Sequence, residues 1–312
     1  MNTKISVIIP FFNEQENFPD LILKLNDFCA SNTHLTFEII FVNDGSTDSS
    51  IDIILGMNQL NFSGKLISLA RNYGSHSALR AGIMKASGDY ITFLYADLQD
   101  PPELINELMS KINEGNDIVW AHRSSSDIKP FERFFSMFYS FMMRKFALSN
   151  FPEKGFDIVM FSRKVKEQLD FNMESNSSIF LQILNFGFKQ NFIEYHRIER
   201  LKGKSKWTIS KKIKLIIDSF VSFSYFPIRM VSVIGILMFL IGFGWSIYII
   251  LRTLLYHDLS PGWPTLISII MLGFGVTNIA LGIIAEYLWR TLDSARKRPV
   301  FIIDKIIELN LK

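Results

Sequence analysis

Two carboxylates that could take part in a reaction follow an apolar segment in the first half of the chain. Asp97 and Asp100 come directly after the run 90–95, with Gln99 between them and two prolines behind. Mg²⁺ is typically held by one or two carboxylates together with the phosphates of its ligand. A capped helix start would explain the prolines and Asp100, but not the polar pair Asp97 and Gln99. The segment therefore predicts a metal-assisted diphosphate site, with Asp97 as the metal ligand.

A second polar cluster follows the apolar run 37–42. Its sequence, Asp-Gly-Ser-Thr-Asp at 44–48, is typical of a turn that caps a helix, because Ser, Thr and Asp are good capping residues. After a buried strand, Asp44 could instead accept hydrogen bonds from a base or a ribose. Taken alone, the cluster fits the cap better. Similar clusters at 13–14, 71–74 and 97–100 favour ligand binding.

A basic, glycine-containing segment spans residues 200–207 and carries Arg200, Ser205 and Lys206. Such a segment could attach the domain to anionic lipid, at about 1 kcal/mol per basic residue. It could also close over a diphosphate, with Arg200 as a bidentate donor and Lys206 as a point charge. The two roles are compatible with each other.

A parallel sheet would bring the polar clusters together. Helical spacing separates the apolar runs, and buried strands that alternate with helices indicate an α/β domain with a mostly parallel sheet. Ligands of such sheets bind at the carboxyl ends of the strands, where all four clusters fall. We therefore expect one cytosolic domain over 1–208. Its predicted strands are 5–11, 37–42, 65–70, 90–95 and 117–121, and its predicted helices cover 21–28, 75–86 and 102–113.

Two long uncharged runs lie further along the chain, at 231–251 and 264–285. Each has about the length that a helix needs to cross roughly 30 Å of hydrocarbon. They predict a two-helix transmembrane hairpin over 229–290. Lys and Arg cluster on both sides of the pair, whereas the connecting loop carries only Arg252. The positive-inside rule therefore predicts a multi-pass membrane protein, with the large domain and a 291–312 tail on the cytoplasmic side.

The segment just before the hairpin is basic at its start and then mixes apolar and polar residues. This pattern predicts an amphipathic helix in the membrane interface over 209–228, and a helix that caps the domain is the alternative. A net charge of only +3 gives no reason to expect nucleic-acid binding. The single cysteine, Cys29, excludes an internal disulfide, and we expect it to be a buried apolar residue.

Taken together, the motifs resemble glycosyltransferase family 2. Within it they resemble the polyprenyl-phosphate glycosyltransferases related to dolichol-phosphate mannose synthase and the bactoprenol glucosyltransferases of O-antigen modification. The tail sequence at 282–290, followed by Arg-Pro at 298–299, resembles the bacterial branch, and the similarity covers nearly the whole chain. The matching segments are Pro-Phe-Phe-Asn-Glu at 10–14, Val-Asn-Asp-Gly-Ser at 42–46, Arg-Asn-Tyr-Gly at 71–74, Asp-Leu-Gln-Asp-Pro-Pro-Glu at 97–103 and Arg-x-x-Gly-x-Ser-Lys-Trp at 200–207.

The resemblance implies a GT-A-type, Rossmann-like fold. It implies inverting transfer of a sugar from a nucleoside diphosphate sugar, with UDP-glucose the leading donor, to polyprenyl (undecaprenyl) phosphate, assisted by Mg²⁺ or Mn²⁺. The product would be a lipid-linked monosaccharide for cell-surface polysaccharide or O-antigen modification. The implied residues are Pro10, Phe12, Glu14, Asp44 and Gln99 for the nucleotide, Arg123, Arg200, Ser205 and Lys206 for phosphates, and Asp97, Asp100 and Asp157 for catalysis, with Asp97 on the metal.

Two positions depart from the family pattern. Tyr95 stands where the family has the first Asp of Asp-x-Asp, so one metal carboxylate is missing. Asp157 is retained in the segment that corresponds to Gly-Asp-Phe-Arg-Leu, but Val159 replaces its arginine. The first departure bears on metal dependence and donor choice, and the second on a phosphate or acceptor contact.

The expected acceptor is a phosphate monoester with a second pKa of about 6, so it is largely dianionic at neutral pH and hardly needs a general base. Asp157 and Asp100 are therefore expected to act as positioning or electrostatic groups. Two rival functions stay open: a processive polysaccharide synthase, whose Gln-x-x-Arg-Trp motif this sequence lacks, and a catalytically silent scaffold that binds nucleotide sugar. Glycines at 273, 275 and 282 could pack helices closely, within the hairpin or in a homo-oligomer.

Overall fold

The computed structural model describes residues 2–57, 60–124, 130–172, 178–198, 223–224, 226–256, 262–296 and 299–309. The chain divides into two compact units. We call 1–215 together with 299–312 the sheet unit, and 216–298 the helical unit. The predicted interfacial helix over 209–228 lies almost entirely outside the described residues.

The sheet unit is built on one eight-stranded mixed sheet with the order β7-β5-β6-β4-β1-β2-β3-β8. The β1–β2, β2–β3, β1–β4 and β5–β7 pairs are parallel, whereas β6 runs antiparallel to β4 and β5, and β8 runs antiparallel to β3. The strands are β1 (Thr3–Phe11), β2 (Leu35–Asn43), β3 (Ser63–Leu69), β4 (Tyr90–Phe93), β5 (Ile118–Arg123), β6 (Ile158–Ser162), β7 (Gln190–Tyr195) and β8 (Ile303–Leu309).

Seven helices accompany these strands among the described residues of the sheet unit. The central strands β1 and β2 are almost entirely buried and rich in Ile, Val and Phe, as expected for strands covered on both faces. A Cβ at Gly82 would lie 2.3 Å from the Ile8 side chain, so this glycine lets α3 approach the sheet closely. The helices are α1 (Phe18–Ser31), α2 (Ser50–Leu55), α3 (Ser75–Lys85), α4 (Leu104–Asn113), α5 (Pro130–Phe146), α6 (Arg163–Phe171) and α7 (Ile179–Asn185).

The five predicted strands and the three predicted helices are confirmed as β1 to β5 and as α1, α3 and α4. Cys29 is buried and unpaired, as predicted. The sheet is more mixed than predicted, because β6 and β8 are antiparallel. Where the sequence suggested a tail at 291–312, β8 pairs with the outer side of β3, and 299–312 belong to the sheet unit.

The helical unit contains two long helices, α8 (Phe226–Tyr256) and α9 (Trp263–Arg296). The uncharged run 231–251 lies within α8, and 264–285 lies within α9. The Tyr287 hydroxyl, on α9, donates a hydrogen bond of 2.8 Å to the carbonyl of Ser224, which lies near the start of the unit. Considering only the described residues, no helix combines the length and the apolar composition that crossing a bilayer requires. The predicted transmembrane hairpin is therefore not confirmed.

Candidate active site

The polar clusters meet at one edge of the sheet, which we call the rim. Strands β1, β2 and β4 are parallel neighbours, so their carboxyl ends lie side by side, with Phe11 opposite Asn43 and Ile8 opposite Phe93. Because β6 runs the other way, its start rather than its end lies at the rim. This reversal brings Asp157, just before β6, to the same edge as the residues that follow β4.

The loop at 97–100 has an unusual backbone. Leu98 has a φ of 60°, a left-handed conformation that costs a non-glycine residue roughly 1–2 kcal/mol. The Gln99 N–H donates to Asp97 Oδ1 across this residue at 3.3 Å. Leu98 is itself buried at 3% exposure, so the turn stays anchored while Asp97 remains partly exposed. The loop thus presents one partly exposed carboxylate, Asp97, at the rim.

Asp100 lies in a different environment, because its side chain is fully buried (0% exposed). The Tyr195 hydroxyl donates to Asp100 Oδ1 at 2.6 Å, and Arg197 Nε lies 3.5 Å from the same oxygen. Burial raises the pKa of Asp100 to about 6, against the lowering effect of Arg197 and Tyr195 and with help from the charges on Asp97 and Asp157. The structure therefore brings Asp100 to the site but gives it no exposed face toward a ligand.

Asp157 and Arg123 form the neighbouring pair, as the antiparallel β5–β6 ladder dictates. The Arg123 backbone N–H donates to Asp157 Oδ2 at 3.1 Å, and Arg123 Nε lies 3.5 Å from Asp157 Oδ1. The Asp157 side chain is 18% exposed and that of Arg123 is 37% exposed, so both can reach a bound ligand. This pair combines an oriented carboxylate with a cation at the rim.

The two departures from the family pattern have different structural consequences. Burial, together with the charges of Asp100 and Asp157, raises the pKa of the Tyr95 hydroxyl, so Tyr95 contributes a neutral hydroxyl where the family has a carboxylate. Val159 is fully buried within β6, and its carbonyl accepts a 3.0 Å hydrogen bond from Thr92 Oγ1. The first replacement therefore alters the site, whereas the second places an apolar side chain in the core.

Asp44 ties two rim loops together. Its Oδ1 and Oδ2 accept hydrogen bonds from the backbone N–H groups of Tyr73 (2.7 Å) and Gly74 (2.9 Å). Burial raises the pKa of Asp44, although these two hydrogen bonds act in the opposite direction. Next to it, Gly45 has a φ of 77°, and an added Cβ would lie 2.8 Å from the Arg71 carbonyl carbon. Asp44 thus does not cap the following helix, and it holds the 71–74 loop.

The remaining nucleotide candidates surround the end of β1. Pro10 is buried opposite Val42, and Phe12 and Glu14 are half-buried in the turn that follows. Glu14 Oε2 accepts a 2.7 Å hydrogen bond from Asn17 Nδ2, and the Glu14 N–H donates to Ser50 Oγ at 3.0 Å. Backbone contacts thus fix this turn against the 43–50 segment.

The carboxylates of the rim fit a metal site in which phosphates of a bound substrate supply the remaining metal ligands. Among the described residues, no group of three or more His, Cys, Asp or Glu side chains could hold a metal ion by itself. Mg²⁺, however, commonly binds through one or two carboxylates plus substrate phosphates and water. Partly exposed Asp97 suits that donor set, whereas fully buried Asp100 does not.

Three predicted phosphate ligands, Arg200, Ser205 and Lys206, lie outside the described residues. The last described residue before them, Ile198, donates its N–H to the Gln99 carbonyl at 3.0 Å, and Gln99 Nε2 donates to the Ile198 carbonyl at 3.4 Å. Tyr195 and Arg197, the partners of Asp100, were not predicted from the sequence. Nothing in their local pattern marks them, because the contact with Asp100 spans 95 positions of the chain.

The model of the glycosyl transferase family 2 matches residues 6–170, which include the rim loops up to Asp157. The chain belongs to this family. It is 35% identical over 311 residues to a prophage bactoprenol glucosyl transferase homolog of Escherichia coli K12, covering 97% of this chain and 99% of that protein. It is 30% identical over 310 residues to the undecaprenyl-phosphate 4-deoxy-4-formamido-L-arabinose transferase of Yersinia pestis, covering 97% and 94%. The membership makes the chain a glycosyltransferase.

Solved structures provide a more distant comparison. Glucosyl-3-phosphoglycerate synthase from Mycobacterium tuberculosis, in complex with Mg²⁺ and UDP, matches with a TM-score of 0.46 at 17% identity, over 70% of this chain and 77% of that chain. Staphylococcus aureus TarS, residues 1–349, in complex with UDP-GlcNAc, matches with a TM-score of 0.44 at 17% identity, over 70% and 67%.

Proposed function

We propose that this glycosyltransferase moves a sugar from a nucleoside diphosphate sugar to a polyprenyl phosphate, with undecaprenyl phosphate as the acceptor and UDP-glucose as the leading donor. The product would be a lipid-linked monosaccharide for cell-surface polysaccharide or O-antigen modification. The observation that carries the proposal is the rim itself, where Asp97, Asp157 and Arg123 converge. Relatives that align over nearly the whole chain and are named for bactoprenol and undecaprenyl phosphate support the acceptor class.

The reaction would be a direct in-line displacement with inversion. An oxygen of the acceptor phosphate forms a bond to the anomeric carbon as the bond from that carbon to the diphosphate oxygen breaks. The acceptor enters largely as a dianion, so no proton has to be removed and the electron pair leaves with the nucleoside diphosphate. The protein's main task is to hold the acceptor oxygen, the anomeric carbon and the leaving diphosphate oxygen in line and to offset the negative charge of the phosphate groups.

The described residues have distinct roles in this proposal. Pro10, Phe12, Glu14 and Asp44 border the nucleotide, and Gln99 and Asp97 border its diphosphate. Arg123 faces a phosphate, while Asp157 orients Arg123 and shapes the field at the anomeric carbon. A bound Mg²⁺ or Mn²⁺ on Asp97 would neutralise the leaving diphosphate. We propose Arg200, Ser205 and Lys206 as further phosphate ligands on sequence grounds.

We also propose that the helical unit anchors the protein in the inner membrane, with the sheet unit on the cytoplasmic side. The support comes from the uncharged runs 231–251 and 264–285 and from exposed apolar side chains on both helices, such as Ile241, Leu255 and Phe274 at 67%, 71% and 70%. Membrane fractionation with carbonate extraction would test the anchor. Release of the protein into the soluble fraction would contradict it.

A homo-oligomer is a further part of the proposal. A Cβ added at Gly273, Gly275 or Gly282 would meet nothing within 4 Å, so close packing among the described residues does not account for these glycines. Small residues of this kind allow helices from different chains to approach closely. Light scattering of the detergent-solubilised protein, corrected for detergent mass, would distinguish a monomer from an oligomer.

The test of the reaction uses detergent-purified protein, undecaprenyl phosphate, Mg²⁺ or Mn²⁺ and a panel of radiolabelled nucleotide sugars. Label should enter the organic phase as a lipid-linked monosaccharide, and the Asp97→Ala variant should lose this transfer. Labelled polymer would instead point to a processive synthase. Nucleotide binding without transfer from any donor would point to the silent scaffold, which Tyr95 and Val159 favour.

A further inference from the structure

We propose that Tyr195 and Arg197, with Asp100 and Ile198, form a clamp that holds the 97–100 loop in its left-handed turn, and that this clamp positions Asp97. The role of Asp97 as metal ligand rests on the proposed function. The contacts that fix the 97–100 loop do not depend on that function. Tyr195 and Arg197 are thus positioning residues, and Asp100 joins them in that role.

The clamp consists of four contacts between the loop and the residues at and just after the end of β7, one of which runs from Gln99 Nε2 to the Ile198 carbonyl at 3.4 Å. The Tyr195 hydroxyl donates to Asp100 Oδ1 at 2.6 Å, and Arg197 Nε lies 3.5 Å from the same oxygen. The Ile198 N–H donates to the Gln99 carbonyl at 3.0 Å. Asp100 and Tyr195 are both buried, so water cannot readily replace the hydrogen bond between them.

The strained residue lies immediately next to these contacts. Leu98 has a positive φ, and a non-glycine residue keeps such a backbone only where its surroundings over-determine it. On the inner side the buried Leu98 side chain holds the turn. On the other side, Asp100 is fixed to Tyr195 at the end of β7 and Gln99 to Ile198 just beyond it. Asp97 lies just before the strained residue, so relaxation at Leu98 would rotate its carboxylate away from the rim.

This role explains why Asp100 is buried although it belongs to the loop motif. A base or a metal ligand must contact its substrate or ion, and the fully buried Asp100 side chain is occupied by Tyr195 and Arg197. The end of β5 is also hydrogen-bonded to the end of β7, since the Ser124 N–H donates to the Tyr195 carbonyl at 2.9 Å. That backbone bond does not involve the tyrosine side chain and therefore provides an internal control.

The experiment compares Tyr195→Phe, Asp100→Asn and the double variant in the full chain, with Tyr90→Phe as the matched control. Tyr90 begins β4 at the opposite end of that strand from the rim. Hydrogen exchange followed by mass spectrometry reports on the amides at 98–100 and 196–198. Titration with UDP, in Mn²⁺ and in EDTA, gives the factor by which the metal tightens nucleotide binding.

We expect exchange at 98–100 and 196–198 to accelerate at least about tenfold in Tyr195→Phe, with the Ser124 amide unchanged. The gain in UDP affinity from Mn²⁺ should fall about tenfold in both single variants, while UDP affinity in EDTA stays within about twofold. The double variant should lose less than the two single losses added together, because both substitutions act on the same contact: Tyr195→Phe removes its donor and Asp100→Asn removes the charge of its acceptor.

Three results would overturn the clamp: unchanged exchange in Tyr195→Phe, equal loss of UDP affinity with and without metal, or the same changes in Tyr90→Phe. Loss of turnover in Asp100→Asn alone, with Tyr195→Phe fully active, would return Asp100 to a direct catalytic role. If the unmodified protein neither binds UDP nor transfers sugar, the proposed function fails, and the exchange data alone then decide whether the clamp exists.

Discussion

Glu38 and Asp100 are both buried carboxylates of the sheet unit, yet their surroundings have opposite effects on their charge. Glu38 lies near the start of β2, on the edge opposite the rim, and its side chain is 3% exposed. It accepts hydrogen bonds from Ser6 Oγ, from Lys65 Nζ, and from both the N–H and the hydroxyl of Ser87. Burial raises the pKa of Glu38, but these donors outweigh it and hold the pKa at about 2.

Asp100 has fewer donors and more like charges around it. Only Tyr195 donates a hydrogen bond to it among the described residues, and its Oδ2 has no hydrogen-bond partner there. Asp97 and Asp157 add negative charge nearby, and the pKa rises to about 6. Burial alone therefore does not decide the charge of a carboxylate, because the number of donors and the sign of the neighbours do.

The two edges of the sheet accordingly serve different purposes. At the edge opposite the rim, four hydrogen bonds hold Glu38, and this carboxylate should contribute mainly to stability. The rim keeps carboxylates close together and a backbone strained at Leu98, an arrangement that costs stability and persists where a site requires it. Substitutions on the two edges should therefore separate activity from stability.

The largest effect is expected for Asp97→Asn at the rim. In the proposed function this charge faces a metal ion and the diphosphate, so its loss should reduce sugar transfer by at least about 100-fold, or roughly 2.7 kcal/mol of transition-state stabilisation. The free energy of unfolding should change by less than about 0.5 kcal/mol, because Asp97 is partly exposed. The exposed Asp52→Asn on α2 is the control and should be fully active. Transfer in Asp97→Asn at the unmodified rate would remove this carboxylate from the site.

The reverse pattern is expected for Glu38→Gln. The neutral amide leaves Lys65 without its charged partner, so the free energy of unfolding should fall by about 2–3 kcal/mol, while transfer per folded molecule is retained. The exposed Glu308→Gln on the same edge should cost less than about 0.5 kcal/mol. Thermal or denaturant unfolding of the purified protein measures both.

The pH dependence of stability provides a second measure of Glu38. Its pKa in the fold is about 2, against an ordinary value of 4.5, so the unfolded state binds the proton more tightly. Its stabilising contribution is therefore complete above about pH 4.5 and is lost as the pH falls toward 2. Unfolding of Glu38→Gln should depend less on pH across this window than unfolding of the unmodified protein. Identical profiles would show that Glu38 is not held ionised by its donors.

A smaller effect distinguishes two glycines with similar backbones. Gly45 and Gly155 have φ of 77° and 72°, but an added Cβ meets the Arg71 backbone at 2.8 Å in the first and nothing within 4 Å in the second. Gly155→Ala should cost about 1 kcal/mol from strain alone. Gly45→Ala should cost at least about 1 kcal/mol more and should weaken nucleotide binding, because the 71–74 loop must move. Equal free energies of unfolding would contradict the close approach.

The smallest effect is expected for Tyr95→Phe. The pKa of the Tyr95 hydroxyl is raised above its usual range, so the group stays neutral and supplies at most one weak hydrogen bond to the site. Transfer should fall by less than about threefold, and the pH–rate profiles of the two proteins should coincide between pH 7 and 9. A profile that flattens only in Tyr95→Phe would reveal a titrating tyrosine.

The sequence predicts the strands whose apolar runs are continuous. It also predicts that the polar clusters after them lie together, because parallel strands align their carboxyl ends. It does not predict β6, β7 and β8. β6 is five residues long, and β7 and β8 alternate exposed and half-buried positions along most of their length. For the same reason it could not predict that Asp100 is buried, since the donor Tyr195 lies on β7. Contacts between segments that are distant in the chain produce no local pattern in the sequence, so they could not be predicted from it.

Strand β8 has a consequence for the order in which the protein is made. It pairs along β3 from Gly64 to Leu69, but the ribosome synthesises it after both α8 and α9. Until then the outer side of β3 presents unpaired backbone groups, which are a template for association with other chains. The two long helices must therefore leave the ribosome before β8 can pair with β3. A stop codon between α9 and β8 should yield an aggregation-prone protein, even though the whole rim has already been translated.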